Sequence, residues 1–378
     1  MEVPFPFDCV LFDLDGTLVA TDRFWVRAAR AGARRAFTEL AIERPLPDAD
    51  EWLGMVGLPL DQGFDRVFAD LDETSRRLVQ KRCVEEEELA LVAGGALLMP
   101  GAGEVLRSLN AFGVRVGIAS NCAGSYLQHM LSALDLREYV RESRCLDSPG
   151  VRSKADMIAD ILSVYGTRSA VMVGDRAGDA EAAHANAIPH VHLADGLAPQ
   201  GERVDCEATI AVLADLLPRL RRRSEWIEST LRELGVLDGT SEVRSLGIGG
   251  PPAAGKSLFA RDAARLLTAH GLAVQVVSRD GSGRLPAQPE ADLLIFDGWL
   301  DDAALGSREL DRTLFLECDD PTLLRRMAQD PGRRRDPGRE AELAAWRERE
   351  WSAGSGGQAK RADLVLDASN PLGHEARA

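Results

Sequence analysis

The sequence is poor in lysine and lacks the patterns that mark several common protein classes. Of its 45 basic residues only four are lysine: Lys81, Lys154, Lys256 and Lys360. The six cysteines include no C-x-x-C pair, which argues against a disulfide framework and a structural zinc site. No apolar run approaches the roughly 18–20 residues of a membrane span. The first residues also lack the basic segment with which a signal peptide begins. We therefore expect a cytoplasmic protein with no membrane partner.

Charge and length narrow the class of protein further. The chain carries 60 acidic residues, a formal net charge of −15 and a pI near 5.0. An acidic chain is a poor nonspecific binder of nucleic acid, so the charge argues against a nucleic-acid partner, although it does not exclude a local basic groove. The 378 residues suffice for two to three domains.

Short apolar segments alternate with helical stretches along the whole chain, which predicts an α/β fold with parallel sheets. The predicted strands are 9–12, 114–119, 170–173 and 190–193 in the first part and 245–248, 273–278, 293–296, 313–317 and 364–366 in the second. The long helical stretch between the first two strands predicts an inserted cap. The resulting domains are 1–218 with a cap at about 19–98, a linker or helix at 219–240, and 241–378.

A pair of carboxylates directly follows the first predicted strand. Asp13 and Asp15 stand two residues apart in a turn that Gly16 allows to be sharp. A strand end is where an open α/β sheet places its site. Asp13 can attack phosphorus as a nucleophile, and Asp15 can protonate the leaving oxygen and then activate water. A plain surface turn is the alternative, since Asp-Gly is common in turns.

Three more sets of polar residues, further along the chain, suit a phosphate site. Two of them end predicted strands and one precedes a predicted helix. Ser120 and Asn121 end the second strand and offer a hydroxyl and backbone N–H groups. Lys154 stands in a polar loop before a predicted helix at 155–162, where it can neutralise phosphate charge. Asp175 and Asp179 follow the third strand and offer carboxylates to Mg²⁺.

These motifs resemble those of haloacid-dehalogenase-superfamily phosphatases, close to the phosphoglycolate-phosphatase type. The similarity rests on FDLDGTL, ASN, Lys154 and VGDRAGDAEAAHANAIP, with a helical cap between the first two, and it spans residues 8–217. It implies a Rossmann-like core and Mg²⁺ as cofactor. The cap favours a small phosphorylated metabolite as substrate. The implied roles are nucleophile for Asp13, general acid and base for Asp15, phosphate binding for Ser120 and Asn121, charge stabilisation for Lys154, and metal binding for Asp13, the Asp15 carbonyl, Asp175 and, in support, Asp179.

The second half contains a glycine-rich phosphate-binding loop. Its residues fit G-x-x-x-x-G-K-[ST] and stand between a predicted strand and a predicted helix, the context this motif requires: Gly250, Pro251, Pro252, Ala253, Ala254, Gly255, Lys256 and Ser257. Backbone N–H groups would cradle the phosphates of ATP. Lys256 would reach the β and γ oxygens, and Ser257 would bind Mg²⁺.

Three features predict that this P-loop serves a small-molecule kinase. Asp280 follows a strand and is the candidate base, and Asp297 follows another as the metal-side acid. Arg333, Arg334 and Arg335 stand in a polar segment suited to close over a transferring phosphate. Residues 243–368 resemble the uridine-kinase and glycerate-kinase branch of P-loop kinases, through IGGPPAAGKS, DLLIFDGWL and RRRDPGRE. About a dozen residues separate Asp280 from the next strand, where those families have a longer acceptor-binding region.

The sequence thus predicts a bifunctional enzyme with a phosphatase domain and a P-loop NTPase-type α/β kinase domain for a small hydroxylated acceptor. The substrate is left open among phosphorylated sugars, polyols, hydroxy acids and nucleosides. Two alternatives stay open as well. One is a polynucleotide end-processing kinase and phosphatase, and the other is a phosphatase with a regulatory ATP-binding module.

Overall fold

The chain divides into two compact units. The computed structural model describes residues 4–237, 242–278, 291–298, 309–329, 338–352 and 357–373. The N-terminal unit is Phe7–Leu217, and the C-terminal unit is Pro218–Ala378 together with Met1–Pro6. Among the described helices, none is both long and apolar enough to cross a membrane.

The N-terminal unit is built on a six-stranded parallel sheet in the order β3-β2-β1-β4-β5-β6. Its strands are β1 Cys9–Phe12, β2 Arg115–Ala119, β3 Val140–Arg144, β4 Ala170–Gly174, β5 His190–Leu193 and β6 Ala208–Ile210. The central strands β1 and β4 are buried along their whole length. Continuous apolar runs of this kind are typical of a parallel sheet covered on both faces.

Helices cover this sheet and also form a separate cap. Five helices lie between β1 and β2, and the first four form the cap: α1 Trp25–Leu40, α2 Ala49–Leu53, α3 Leu60–Val67 and α4 Glu73–Val92. Those beside the sheet are α5 Ala102–Ala111, α6 Gly124–Ala133, α7 Lys154–Tyr165 and α8 Ala177–His184, with short 3₁₀ turns at Thr21–Arg23, Leu136–Glu138 and Leu213–Asp215. The four-helix cap has an aromatic core of its own. There the ring of Trp52 lies 6.2 Å from Phe64 and 5.6 Å from Phe68, centroid to centroid.

The prediction of an α/β fold with parallel sheets is confirmed, with two local differences. The sequence analysis missed the edge strands β3 and β6. The first has a single apolar residue, Val140, followed by four polar ones, and the second has only three residues, so neither has the apolar run of a central strand. Lys154 is also the first residue of α7 and not part of the preceding loop. The helix starts earlier because the Ser153 side chain accepts a hydrogen bond from the Asp156 N–H at 3.2 Å.

The C-terminal unit contains a second parallel sheet, in the order β11-β10-β7-β9-β8. Its strands are β7 Ser245–Gly249, β8 Val274–Ser278, β9 Leu293–Asp297, β10 Arg312–Glu317 and β11 Leu364–Asp367. The described helices are α9 Leu216–Glu233, α10 Lys256–Ala269, α11 Asp320–Gln329, α12 Arg339–Ser352 and α13 Gln358–Arg361. The first strand of this unit, β7, is central in the sheet, so the loop that follows it lies near the middle of the sheet edge.

Helix α9 contributes to the core of the C-terminal unit. Ile227 and Leu231 are fully buried there. The helix carries arginines at 219 and 221–223, and one of them, Arg223, is buried and pairs through its guanidinium with the buried Asp262 carboxylate at 2.7 Å. The pair accounts for a guanidinium on the buried face of α9. A buried guanidinium needs a hydrogen-bonded carboxylate as its partner.

Candidate active site

The polar groups of the N-terminal unit meet where three adjacent parallel strands end. Asp13 follows β1, Ser120 follows β2, and Asp175 follows β4, and the sheet order places β1 between the other two. All three side chains are buried. The carboxyl ends of parallel strands share one edge of the sheet, so residues far apart in sequence share one site.

Lys154 lies between two buried carboxylates. Its ammonium donates to Asp13 Oδ1 at 2.9 Å and to Asp179 Oδ1 at 2.6 Å, and the three side chains are at most 7% exposed. Burial disfavours the charged amine, but the two carboxylates outweigh that effect and raise the pKa of Lys154. Burial raises the pKa of Asp13 well above its usual value, although Lys154 opposes the change. The lysine therefore stays charged and compensates only part of the buried negative charge.

Asp175 completes a group of three carboxylates suited to a metal ion. Candidate ligand oxygens of Asp13, Asp175 and Asp179 all lie within 4.8 Å of one another. Asp175 accepts hydrogen bonds from the Thr17 hydroxyl at 3.1 Å and from the Leu197 N–H at 2.6 Å. Burial, with repulsion from Asp179, nevertheless raises the pKa of Asp175 to about 7. An excess of buried carboxylate oxygens is the environment that a divalent cation stabilises.

The turn after β1 must pass close to Asp175. Gly16 has a φ of 78°, and a Cβ atom there would lie 2.6 Å from Asp175 Oδ2. Any side chain would thus be strained by its backbone and would collide with a candidate metal ligand. Glycine is therefore required between Asp15 and Thr17.

Asp15 is held by two hydroxyl groups. The Thr21 and Tyr126 hydroxyls both donate to Asp15 Oδ1 at 2.6 Å. Burial raises the pKa of Asp15, and these two hydrogen bonds partly counteract it. A carboxyl with a raised pKa keeps its proton to a higher pH than an ordinary aspartate, which suits general acid catalysis. Neither hydroxyl residue could be predicted from the sequence, because neither stands in a recognisable motif.

Ser120 and Asn121 play different parts in the structure. Ser120 is buried and lines the same cavity as Asp15. Asn121 Nδ2 donates to the Gly57 carbonyl of the cap at 3.0 Å. Arg176, which the sequence analysis quoted in a motif without a role, donates to the neighbouring Val56 carbonyl. These two core side chains therefore bind the cap segment that contains residues 56 and 57.

A cavity of about 390 Å³ lies between the cap and the core of the N-terminal unit. Asp15, Ser120 and Asn121 line it from the core, and Trp25 and Glu87 line it from the cap. Its size is within the range of small-molecule sites. The cavity therefore extends from the strand ends into the cap.

The glycine-rich loop of the C-terminal unit follows the central strand β7 and leads into α10. Gly250 has a φ of 141°, and a Cβ there would lie 2.4 Å from the Leu316 carbonyl oxygen, so only glycine fits. Gly255 also has a positive φ, 92°. The Lys256 ammonium donates to the carbonyls of Gly250 and Pro251 at 3.1 and 2.9 Å.

Asp297 is the last residue of β9, beside this loop. It pairs in register with Ile248 of β7, two residues before the loop begins. Asp297 is 2% exposed, and its Oδ1 has no hydrogen-bond partner in the part of the chain that the structure describes. Ser257 is exposed in the first turn of α10. The predicted base Asp280 and the predicted lid arginines Arg333, Arg334 and Arg335 lie outside the described residues.

Comparison with known proteins supports the N-terminal assignment. Residues 7–186 match the family model described as haloacid dehalogenase-like hydrolase. The chain is 25% identical over 240 residues to phosphoglycolate phosphatase of Escherichia coli strain K12, covering 56% of this chain and 91% of that protein. It is 27% identical over 140 residues to hexitol phosphatase B of the same strain, covering 36% and 60%.

A solved structure shows the same fold. The predicted phosphoglycolate phosphatase from Haemophilus somnus 129PT superposes with a TM-score of 0.51 at 19% identity, covering 56% of this chain and 97% of that chain. The family match ends at residue 186, before the glycine-rich loop, so it concerns the first unit alone. Residues 7–186 are thus similar to haloacid dehalogenase-like hydrolases, and this similarity covers just under half of the chain.

Proposed function

We propose that the N-terminal unit hydrolyses a small phosphate monoester through an aspartyl-phosphate on Asp13. The observation that carries this proposal is the buried contact of Lys154 with both Asp13 and Asp179. A buried ammonium beside a carboxylate nucleophile gives a dianionic phosphate its counter-charge. Asp13 Oδ2 is buried without a hydrogen-bond partner among the described residues, so this oxygen is available to a ligand.

The reaction proceeds in two displacements at phosphorus. In the first, a carboxylate oxygen of Asp13 forms a bond to phosphorus, and the bond between phosphorus and the alcohol oxygen breaks. Asp15 gives its proton to the departing alcohol, for which its raised pKa is suited. In the second, Asp15 takes a proton from water as the water oxygen bonds to phosphorus, and the bond between phosphorus and the Asp13 oxygen breaks. Inorganic phosphate then leaves, and Asp13 is regenerated.

Other side chains of the unit orient these two carboxylates. Tyr126 and Thr21 fix one oxygen of Asp15, which leaves Oδ2 for proton transfer. The Ser120 hydroxyl and the adjacent backbone are proposed to bind the phosphoryl oxygens. The cap segment at residues 56 and 57 limits the access of water to the covalent intermediate.

The residues present fit a Mg²⁺ ion. Oxygen donors of the carboxylate type are those that this hard cation prefers. Asp13 and Asp175 would bind it, with the Asp15 carbonyl as a further ligand. Asp179 would support the site, since its two oxygens already accept from Lys154 and the Arg176 N–H. When bound, the ion neutralises charge on the phosphoryl oxygens.

Phosphate release from p-nitrophenyl phosphate by the full chain with Mg²⁺ tests this proposal. Asp13→Asn should abolish turnover, because an amide cannot form the aspartyl-phosphate. Asp195→Asn makes the same chemical change at an exposed position and should leave the rate unchanged. Residual turnover in Asp13→Asn close to the wild-type rate would contradict the proposed nucleophile.

A second function is proposed for the C-terminal unit, namely ATP-dependent phosphorylation of a small hydroxylated acceptor. The observation that favours it is the unpartnered, buried Oδ1 of Asp297 beside a glycine-rich loop with Lys256 at its end. A carboxylate in this position can hold the Mg²⁺ of a nucleotide, together with Ser257. Asp280 as base and Arg333, Arg334 and Arg335 as a closing segment remain sequence predictions.

Lys256→Ala tests the second function with little effect on the first. It should abolish ATP binding and acceptor phosphorylation while phosphate release from p-nitrophenyl phosphate continues. ATP binding that changes the phosphatase rate without any phosphorylated acceptor would instead support a regulatory ATP-binding module. Labelling of oligonucleotide ends at moderate salt would support the polynucleotide end-processing alternative.

A further inference from the structure

The cavity of the N-terminal unit has mostly apolar walls beyond the reacting carboxylates. Trp25, Met55, Leu60 and Val84 line it from the cap, together with Leu58 and Leu91. Side chains of this kind bind a ligand by excluding water and offer it no hydrogen bonds. The part of the substrate that enters this space is therefore largely apolar.

The charged groups on these walls are acidic. Glu87 and Glu88 of α4 line the cavity, and none of the described lining residues is lysine or arginine. Burial, reinforced by the charge of Asp15, raises the pKa of Glu87 to about 8. The surroundings of the Glu87 side chain therefore disfavour a negatively charged group. The same missing counter-charge would penalise a substrate carboxylate placed beside Glu87.

A buried histidine nitrogen is a further polar atom of this cavity. His129 of α6 lines the cavity, and its Nε2 is buried without a hydrogen-bond partner among the described residues. A neutral imidazole nitrogen and a carboxyl group both form hydrogen bonds with a hydroxyl. An uncharged alcohol part that carries one hydroxyl besides the esterified one can thus satisfy this cavity.

We propose that this site selects phosphate monoesters of uncharged, mainly apolar alcohols over those of hydroxy acids, and that Glu87 sets the preference. The proposal rests on the phosphatase function proposed above and narrows its substrate class. It predicts that this chain disfavours phosphoglycolate, which is the phosphate ester of a hydroxy acid. Phosphoglycolate appears in the names of several relatives of the chain.

Two esters of equal chain length provide the test. Butyl phosphate and phosphorylated γ-hydroxybutyrate differ in the terminal group, methyl or carboxylate, which the saturated chain insulates from the reacting phosphorus. For the wild-type chain with Mg²⁺ at pH 7.5, kcat/KM should be about tenfold or more higher for butyl phosphate. Equal values, or a preference for the carboxylated ester, would overturn the proposal. Phosphoglycolate should also be a poorer substrate than butyl phosphate.

Introducing a cation at Glu87 tests the role of that residue. Glu87→Lys should raise kcat/KM for the carboxylated ester relative to butyl phosphate by about tenfold. Glu86→Lys is the matched control, because Glu86 stands on the same helix, pairs with Arg35 at 3.5 Å and is absent from the cavity walls. Glu88→Lys places the new charge at an exposed wall position and should shift the ratio in the same direction if Glu87→Lys fails to fold. An unchanged ratio in a folded Glu87→Lys or Glu88→Lys protein overturns the role of the acidic wall.

Hydrolysis of p-nitrophenyl phosphate separates this proposal from the one it rests on. Turnover of that ester without a preference for butyl phosphate would refute the substrate class and leave the phosphatase function standing. Absence of turnover for all the esters would refute both.

Discussion

Replacing Asp175 with asparagine should stabilise the metal-free protein, although Asp175 is a candidate metal ligand. The folded-state pKa of this carboxyl is about 7, against an ordinary value of 3.8. A raised folded-state pKa means that the native state binds the proton more tightly than the unfolded chain. Ionisation therefore destabilises the fold, with no penalty below pH 3.8 and the full penalty above pH 7.

The size of this effect follows from the interval between the two pKa values. At about 1.4 kcal/mol per pH unit, the interval from 3.8 to about 7 corresponds to an upper limit of about 4 kcal/mol. Asparagine resembles the protonated acid. Its oxygen can accept from the Leu197 N–H, and its NH₂ can donate to the Thr17 hydroxyl, so the two observed contacts need not be lost. We expect a gain of about 2–4 kcal/mol at pH 8, and a smaller gain toward pH 4.

Calorimetry of the full chain in EDTA measures this gain. The transition that moves when Mg²⁺ is added belongs to the N-terminal unit, and its Tm should rise by roughly 5–10 °C in Asp175→Asn at pH 8. Mg²⁺ should stabilise the wild type more than the variant, because the variant has lost a ligand. Asp195→Asn should change Tm little. An Asp175→Asn protein that is no more stable than wild type at pH 8 in EDTA would refute the reasoning.

Three further changes test individual contacts. Tyr126→Phe removes a hydrogen bond that lowers the pKa of Asp15, so the alkaline limb of the kcat profile should move to higher pH and kcat should fall about tenfold. Arg176→Met breaks the contact with the Val56 carbonyl and should raise KM more than it lowers kcat, in steady-state assays of phosphate release. Gly250→Ala should abolish binding of a fluorescent ATP analogue and destabilise the C-terminal unit by about 2 kcal/mol or more, as measured by urea unfolding.

Each of these three predictions has a result that would contradict it. Tyr139→Phe removes a hydroxyl outside the cavity and should leave the pH profile unchanged, so an identical shift in both variants would deny Tyr126 its role. An equal loss of kcat and unchanged KM in Arg176→Met would place that residue in the chemical step. Unimpaired nucleotide binding in Gly250→Ala would show that the loop tolerates a side chain.

Residues that end strands could be predicted from sequence, because the signal for each is local. An apolar run followed at once by a polar residue predicts the position of Asp13, Ser120 and Asp175 without knowledge of their neighbours. The parallel pairing of the strands then brings them together, and the spacing along the chain becomes irrelevant. Asp297 beside Ile248 follows the same rule in the second sheet.

Site residues that lie on helices could not be predicted in this way. Tyr126, Glu87 and His129 stand on helices where a polar residue is normally solvated, so sequence alone does not separate a cavity wall from an exposed face. Their role depends on how the cap lies over the core. The same limit applies to the arginines of α9, which follow the predicted end of the first domain. Arg221 and Arg222 are exposed whereas Arg223 is buried against Asp262, and the sequence alone does not distinguish them.

The scarcity of lysine links the two proposed sites. Lys154 and Lys256 are each the first residue of a helix, α7 and α10. A cation is unfavourable there by about 0.3–1 kcal/mol, because the N-terminus of a helix carries partial positive charge. Each lysine instead lies against oxygen atoms, the carboxylates of Asp13 and Asp179 for the first and two loop carbonyls for the second. A phosphate group would meet the ammonium and the helix N-terminus together, so the position that disfavours the lysine in isolation favours the anion. This shared placement supports the proposal that both units handle phosphoryl groups.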